Sequence, residues 1–219
     1  MLVRSRSVIM LCDVERMKPI EETAPTANVS ARAWRFVQAF IREPLKVGAI
    51  WPSSEQLSRA IADACKFAPD NTVVELGPGT GNFTELLLQR LSPAGRLVAL
   101  ELSETNVKVL KQRFPQGEIH FDSAEHLAKH IPAGTAQCIV SGLAWGNMMP
   151  AMQDRIMNAI VTALAPSGEF VGFAYVHARY YPTTMRFRRL MQERFASFET
   201  TPIIWRNMPP AYVYRCRRS

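Results

Sequence analysis

The segment Thr72-Val73-Val74-Glu75-Leu76-Gly77-Pro78-Gly79-Thr80-Gly81-Asn82 constrains this chain more than any other. Five residues of strand character run into three glycines spaced two apart, and helical periodicity resumes over Phe83 to Arg90. Strand, glycine turn and helix in that order open an α/β unit, in which a parallel strand is covered by the helix that follows it. The glycines let the backbone turn tightly and approach a ligand closely. The helix N-terminus directs unpaired N–H groups into the same crevice.

Downstream, the pattern repeats. Arg96 to Leu100 reads as a strand and Glu104 to Phe114 as a helix. Glu118 to Asp122 is a short strand, with a helical piece near Ala124 to Lys129. Ala136 to Ser141 is a fourth strand, and Ala151 to Leu164 an amphipathic helix stopped by Pro166 and Gly168. Glu169 to Val176 is a fifth strand, and Met185 to Phe195 a basic helix. Phe198 to Trp205 and Ala211 to Cys216 follow with no helix between them, which predicts a hairpin. Repeated strand–helix units imply a mostly parallel sheet with helices on both faces. A single α/β domain over residues 29–219 accommodates them, since 219 residues suit one such domain and are tight for two.

Three carboxylates narrow the ligand. A dinucleotide fingerprint would place its third glycine at position 82, which is Asn82, and the loop lacks the lysine of a phosphate-cradling loop. Glu75, just before the glycines, would repel a pyrophosphate. It suits a cofactor with cationic groups, the ammonium and sulfonium of S-adenosylmethionine. Glu101, at the end of the second strand and about 20 positions past the glycines, can accept both ribose hydroxyls. Leu102 follows it. At the end of the third strand, Asp122-Ser123-Ala124 offers a carboxylate for an adenine amino group; the competing reading is a simple N-cap aspartate. Each group stands at a strand's C-terminal end, the edge at which open α/β sheets bind ligands.

Val73 to Gly81 therefore resembles motif I of class I methyltransferases. Glu75-Leu76-Gly77-Pro78-Gly79-Thr80-Gly81 is similar to two branches, the bacterial phospholipid N-methyltransferases and the ribosomal RNA adenine dimethyltransferases. Val47-Gly48-Ala49-Ile50-Trp51-Pro52-Ser53-Ser54, Ser141-Gly142-Leu143 and Asn207-Met208-Pro209-Pro210-Ala211-Tyr212-Val213-Tyr214 resemble the first branch. The likeness runs from about Ala33 to Arg217. It implies the seven-stranded, Rossmann-like methyltransferase sheet with a terminal antiparallel hairpin. It also implies cofactor contacts at Ile50, Ser53, Glu75, Gly77, Pro78, Gly79, Gly81, Asn82, Glu101, Leu102, Asp122, Ser123, Ala124, Ser141, Gly142 and Leu143. Where phospholipid enzymes carry proline after the Gly-Leu pair, this chain has Ala144. The expected activity is N-methylation of the amine head group of phosphatidylethanolamine or a related amino lipid. An RNA adenine N-methyltransferase and a soluble small-molecule amine methyltransferase are the alternatives.

The acceptor needs a neutral amine, which burial favours and a nearby Tyr or His can complete by taking the proton. His177 and Tyr180 are the candidates, with Tyr181 beside them and Asn147 or Trp145 as orienting groups; loop packing is the competing reading for each. Arg179, Arg186, Arg188 and Arg189 form a basic cluster that could meet phosphates. The net charge of +7 points the same way without choosing between membrane and nucleic acid.

Residues 30–43 pattern as a basic amphipathic helix with Trp34 at its boundary, as membrane-surface helices do; packing on the domain is the alternative. Residues 1–28 read as a loosely ordered leader. Cys12, Cys65, Cys138 and Cys216 are scattered, with neither metal-ligand spacing nor a short disulfide framework. They suggest a reduced, cytoplasmic setting, peripheral on the inner face of the cell membrane.

Overall fold

The computed structural model describes residues 54–219. The expected leader, the Trp34 helix, Ile50 and Ser53 lie outside them. Helix α1 (Glu55–Ala64) opens the described chain, with the Ser54 hydroxyl accepting the Leu57 N–H at its N-terminus. There follow β1 (Thr72–Leu76), α2 (Asn82–Arg90), β2 (Arg96–Glu101), α3 (Glu104–Arg113), β3 (Glu118–Phe121), a 3-10 segment (Ala124–Lys129) and β4 (Ala136–Ser141). A short 3-10 turn (Trp145–Asn147) leads into α4 (Pro150–Ala163) and β5 (Leu164–Tyr175). The chain closes with α5 (Pro182–Arg194), β6 (Ser197–Thr200) and β7 (Ala211–Arg217).

The seven strands form one sheet in the order β3-β2-β1-β4-β5-β7-β6. β1 to β5 are parallel, while β7 runs antiparallel between β5 and β6. This is the Rossmann-like methyltransferase sheet with its terminal hairpin. The chain reverses its direction of travel across the sheet between β1 and β4, and the crevice at such a point is where ligands bind.

Alternation along the strands assigns the faces. Val73, Leu97, Cys138 and Val140 point towards α1 and α2, and Ala99 and Ile119 towards α3. Val74, Leu76, Val98, Leu100 and Ile139 point to the other face, covered by the Ala124–Lys129 segment, α4 and α5. Both faces are therefore apolar, as a parallel sheet between helices requires.

Two expectations shift in detail. Phe198 to Trp205 does not hold as one strand: pairing with β7 stops at Thr200 and returns only as a bridge from Ile204 to Ala211. Pro202 has no N–H to offer a ladder, so the chain loops outwards there. β5 begins earlier than expected, with Pro166 and Gly168 inside a bulge where five steps of β5 oppose two of β4. The hairpin places residues 201–210 at the carboxyl edge of β5, because Ala211 pairs with Tyr175 and Val176 N–H donates to the Pro210 carbonyl at 2.8 Å.

Candidate cofactor and acceptor site

The site begins in the β1–α2 turn. Gly77, Gly79 and Gly81 all have positive φ, at 71°, 57° and 88°. Gly79 has open space where a side chain would project: among the described residues no atom lies within 4 Å of an ideal Cβ. Gly77 faces the opposite constraint. Its Cβ would lie 2.7 Å from the Leu143 side chain, and a Cβ on Gly142 would lie 2.5 Å from the Gly77 carbonyl oxygen. The Gly142 N–H also donates to the Leu76 carbonyl at 2.8 Å. The turns after β1 and β4 are thus pressed together at backbone distance, and the glycine turn opens outwards over Gly79. Pro78 is buried beneath it.

Two carboxylates border this opening. Glu75 is fully buried on the α1–α3 face. One of its oxygens accepts the Thr84 hydroxyl of α2 at 2.7 Å, while Oε1 is buried with no partner among the described residues. Burial, offset in part by Thr84 and reinforced by the negative charge of Glu101, pushes the Glu75 carboxyl up to about 8. Glu101 ends β2, where its Oε1 accepts the N–H groups of Leu102 and Ser103 at 2.8 and 2.9 Å. Its Oε2 accepts the Gly79 N–H at 2.9 Å, which ties the end of β2 to the glycine turn.

Asp122 stands one strand further along. Its oxygens accept the Ser123 N–H at 2.7 Å, His126 Nδ1 at 2.6 Å and His130 Nε2 at 3.0 Å. Burial works against its charge, but those hydrogen bonds prevail and hold its carboxyl well below the usual carboxylate range. Ala124 is buried at the start of the 3-10 segment, whose N-cap is Ser123. The exposed Phe121 ring precedes Asp122 and pairs in register with Glu101.

These residues fit S-adenosylmethionine. The second oxygen of Glu75 is a buried acceptor with no donor among the described residues, suited to a cation. The open face of Gly79 admits a ligand to the backbone, and Glu101 presents a carboxylate fixed by three N–H groups. Residues 73–168 match the model of a family described as a methyltransferase domain. The chain is an S-adenosylmethionine-dependent methyltransferase. It is similar to an ornithine lipid N-methyltransferase from Singulisphaera acidiphila, 29% identical over 192 residues that cover 83% of this chain and 94% of that protein. It is also similar to ribosomal RNA small subunit methyltransferase A from Thermotoga maritima, 29% identical over 136 residues. That match covers 59% of this chain and 47% of the relative, so the chain spans about half the length of the RNA enzyme. Among solved structures it shares its fold with a geranyl diphosphate C-methyltransferase from Streptomyces coelicolor, crystallised with S-adenosyl-L-homocysteine. The TM-score is 0.61 at 12% identity, covering 74% of this chain and 75% of that one.

The residues expected on the acceptor side lie beyond β4. Ser141 is fully buried and points to the α4–α5 face, where its hydroxyl accepts the Trp145 indole N–H at 2.9 Å. Trp145 is itself core: it stacks on Phe187 at 4.1 Å and meets Phe170 edge-on. The expectation that Trp145 could orient an acceptor fails for that reason. Asn147, His177 and Tyr180 are exposed at the carboxyl edge. His177 stacks on Tyr175 with ring centroids 5.6 Å apart, and Tyr181 meets it edge-on at 6.3 Å. The basic cluster divides. Arg186 pairs with Asp154 at 2.8 Å, Arg188 lies over the Phe198 ring, and Arg179 lies over the Tyr180 ring.

Asn207, which carries the family likeness near the C-terminus, is buried and joins the hairpin loop to α1. Its Oδ1 accepts the Ser54 N–H at 3.0 Å and its amide donates to the Pro209 carbonyl. The Thr84 and histidine partners of Glu75 and Asp122 were not found from sequence. Threonine and histidine carry no signal of their own; the β1–α2 turn brings Thr84 back to Glu75, and the 3-10 segment after Asp122 turns His126 and His130 towards it.

Proposed function

We propose that the methyltransferase acts on the amine head group of a membrane amino lipid, either phosphatidylethanolamine or an ornithine lipid. The observation that carries this reading is the likeness to the ornithine lipid N-methyltransferase, which extends over 94% of that protein, whereas the RNA relative is matched over less than half its length.

The chemistry of the acceptor side supports it. S-adenosylmethionine supplies an activated methyl group, so the protein's task is alignment, exclusion of water and removal of a proton from the acceptor. A soluble polyamine would call for carboxylates. None of the chain's 19 Asp and Glu falls in the three segments that border the acceptor side, residues 142–153, 175–190 and 201–210. An acceptor that carries its own phosphate or carboxylate beside the amine suits arginine instead. In this reading His177 and Tyr180 take or relay the amine proton and Asn147 orients the head group. Glu75, Glu101 and Asp122 hold the cofactor's cation, ribose and adenine. The turn residues Gly77 to Asn82, with Leu102, Ser123, Ala124 and Ser141 to Leu143, line its bed.

Transfer of labelled methyl from S-adenosylmethionine to phosphatidylethanolamine, ornithine lipid, total RNA and small amines, assayed in parallel, tests the reading. Label in one or both lipids alone is the expected result. Label confined to RNA or to a soluble amine overturns it.

A further inference from the structure

Most of the large apolar side chains left exposed in the described residues share one location. Met149, Tyr180, Tyr181, Met185, Trp205 and Met208 all belong to the loops and first helical turns at the carboxyl edge, beyond β4, beyond β5 and before β7. Trp205 and Met208 are each 70% exposed on the hairpin loop, which Val176 and Pro210 bind to the end of β5. Exposed side chains of this size scattered singly need no explanation, but a set gathered around one mouth marks an interaction surface.

The charges of the same edge identify its partner. The three segments contain no Asp or Glu, yet they carry Arg179, Arg186, Arg188, Arg189 and Arg206. Of these only Arg186 has a carboxylate partner among the described residues, Asp154, which leaves Arg179 beside the exposed tyrosines, Arg206 beside Trp205, and Arg188 and Arg189 on the helix to set the sign of the rim. A surface that combines indole, phenol and thioether with arginine, and whose neighbouring carboxylate Asp154 is already paired with Arg186, is complementary to the interface of an anionic bilayer. An RNA backbone would meet the same arginines. Trp205, Tyr180 and Tyr181 could stack bases, but Met149, Met185 and Met208 offer them no platform, whereas the interface and acyl chains of a bilayer accept aromatics and methionines alike.

We infer that this half of the carboxyl edge is a membrane-docking rim, in which Met149, Met185, Trp205 and Met208 enter the interface of an anionic bilayer while Arg179 and Arg206 meet its phosphates. The acceptor mouth then opens onto the bilayer, and a head group reaches His177 without its acyl chains leaving the membrane. The choice of occupant rests on the amino-lipid reading, but rim and reading can fail separately.

The test uses the full chain with Trp34→Phe and Trp51→Phe, so that emission comes from buried Trp145 and exposed Trp205. Vesicles of phosphatidylethanolamine and phosphatidylglycerol with brominated acyl chains are expected to quench the exposed component, and Trp205→Phe to abolish that quenching. In flotation, Trp205→Ser with Met208→Ser is expected to lower vesicle binding about tenfold. Arg206→Glu is expected to lower it about fivefold and to flatten its salt dependence. S-adenosylmethionine affinity measured by calorimetry confirms that each variant is folded. Trp205 emission unmoved by vesicles overturns the rim. So does emission that shifts only with RNA, only on dilution of a dimer, or only on removal of residues 1–53. Lipid methylation with unmoved Trp205 removes the rim and leaves the reading intact; quenched Trp205 with no lipid methylated does the reverse.

Discussion

The two halves of the carboxyl edge are built on opposite principles. On the β1–β2–β3 side, carboxylates are held in place: Glu75 by Thr84, Glu101 by three backbone N–H groups, Asp122 by two histidines and an N–H. On the β4–β5–β7 side there are no carboxylates in the bordering loops, and tyrosine, methionine, tryptophan and arginine stand exposed. A ligand common to all such enzymes can be met by a preorganised, closed set of groups. An acceptor that differs between enzymes is met on loops, where side chains change at little cost to the fold. The halves touch where Gly142 backs onto Gly77.

Glu75 offers the largest expected effect. Its folded-state value, about 8, lies above the ordinary 4.5, so between pH 5 and 8 the native protein keeps a proton that the unfolded chain releases. Stability of the cofactor-free protein should therefore fall as pH rises through that window, by about 4 kcal/mol over three pH units. Glu75→Gln should flatten the slope in urea unfolding from pH 5 to 8. An unchanged slope would mean that burial does not hold a proton on Glu75. At pH 7, binding of S-adenosylmethionine should also release a proton, seen as a buffer-dependent enthalpy that Glu75→Gln removes.

Next comes the contact between the halves. Gly142→Ala would set a methyl 2.5 Å from a backbone oxygen that no rotamer can move. A loss of about 3 kcal/mol is expected, or a Tm lower by about 6 to 12 °C. A variant as stable as its parent would show the two turns to be independent. Glu101→Ala probes the cofactor half alone: calorimetry should report S-adenosylmethionine binding about a hundredfold weaker, with the acceptor KM unmoved. His177→Ala and Tyr180→Phe probe the other half. Each should lower kcat about tenfold and leave cofactor affinity within about twofold. If either weakens the cofactor as much as Glu101→Ala does, the division of the edge is wrong.

Much of the β1–β2–β3 half was legible in the sequence, because its signals are local. Glu75 and the glycines lie within one strand and turn, Glu101 ends β2, and Asp122 directly follows β3. The β4–β5–β7 half was legible only as types. Trp145 read as an exposed recognition aromatic, but α5 delivers Phe187 to stack upon it and Ser141 takes its indole N–H. Arg186 and Arg188 read as phosphate ligands, but Asp154 of α4 and Phe198 of β6 lie within their reach. Phe187 is 42 residues from Trp145 and Asp154 is 32 from Arg186, separations bridged by helix packing that no local pattern encodes.

Sequence by itself determined the order of strands and helices, the place of the glycine turn, and which three carboxylates stand at strand ends. Each of these follows from periodicity of 2.0 or 3.6 residues and from glycine's access to positive φ, which are properties of neighbouring residues. Tertiary structure alone decided which carboxylate oxygen is left without a donor, which aromatics enter the core, and which remain on the rim. Those outcomes depend on burial, and burial is settled only when the sheet register and the packed helices bring distant side chains together.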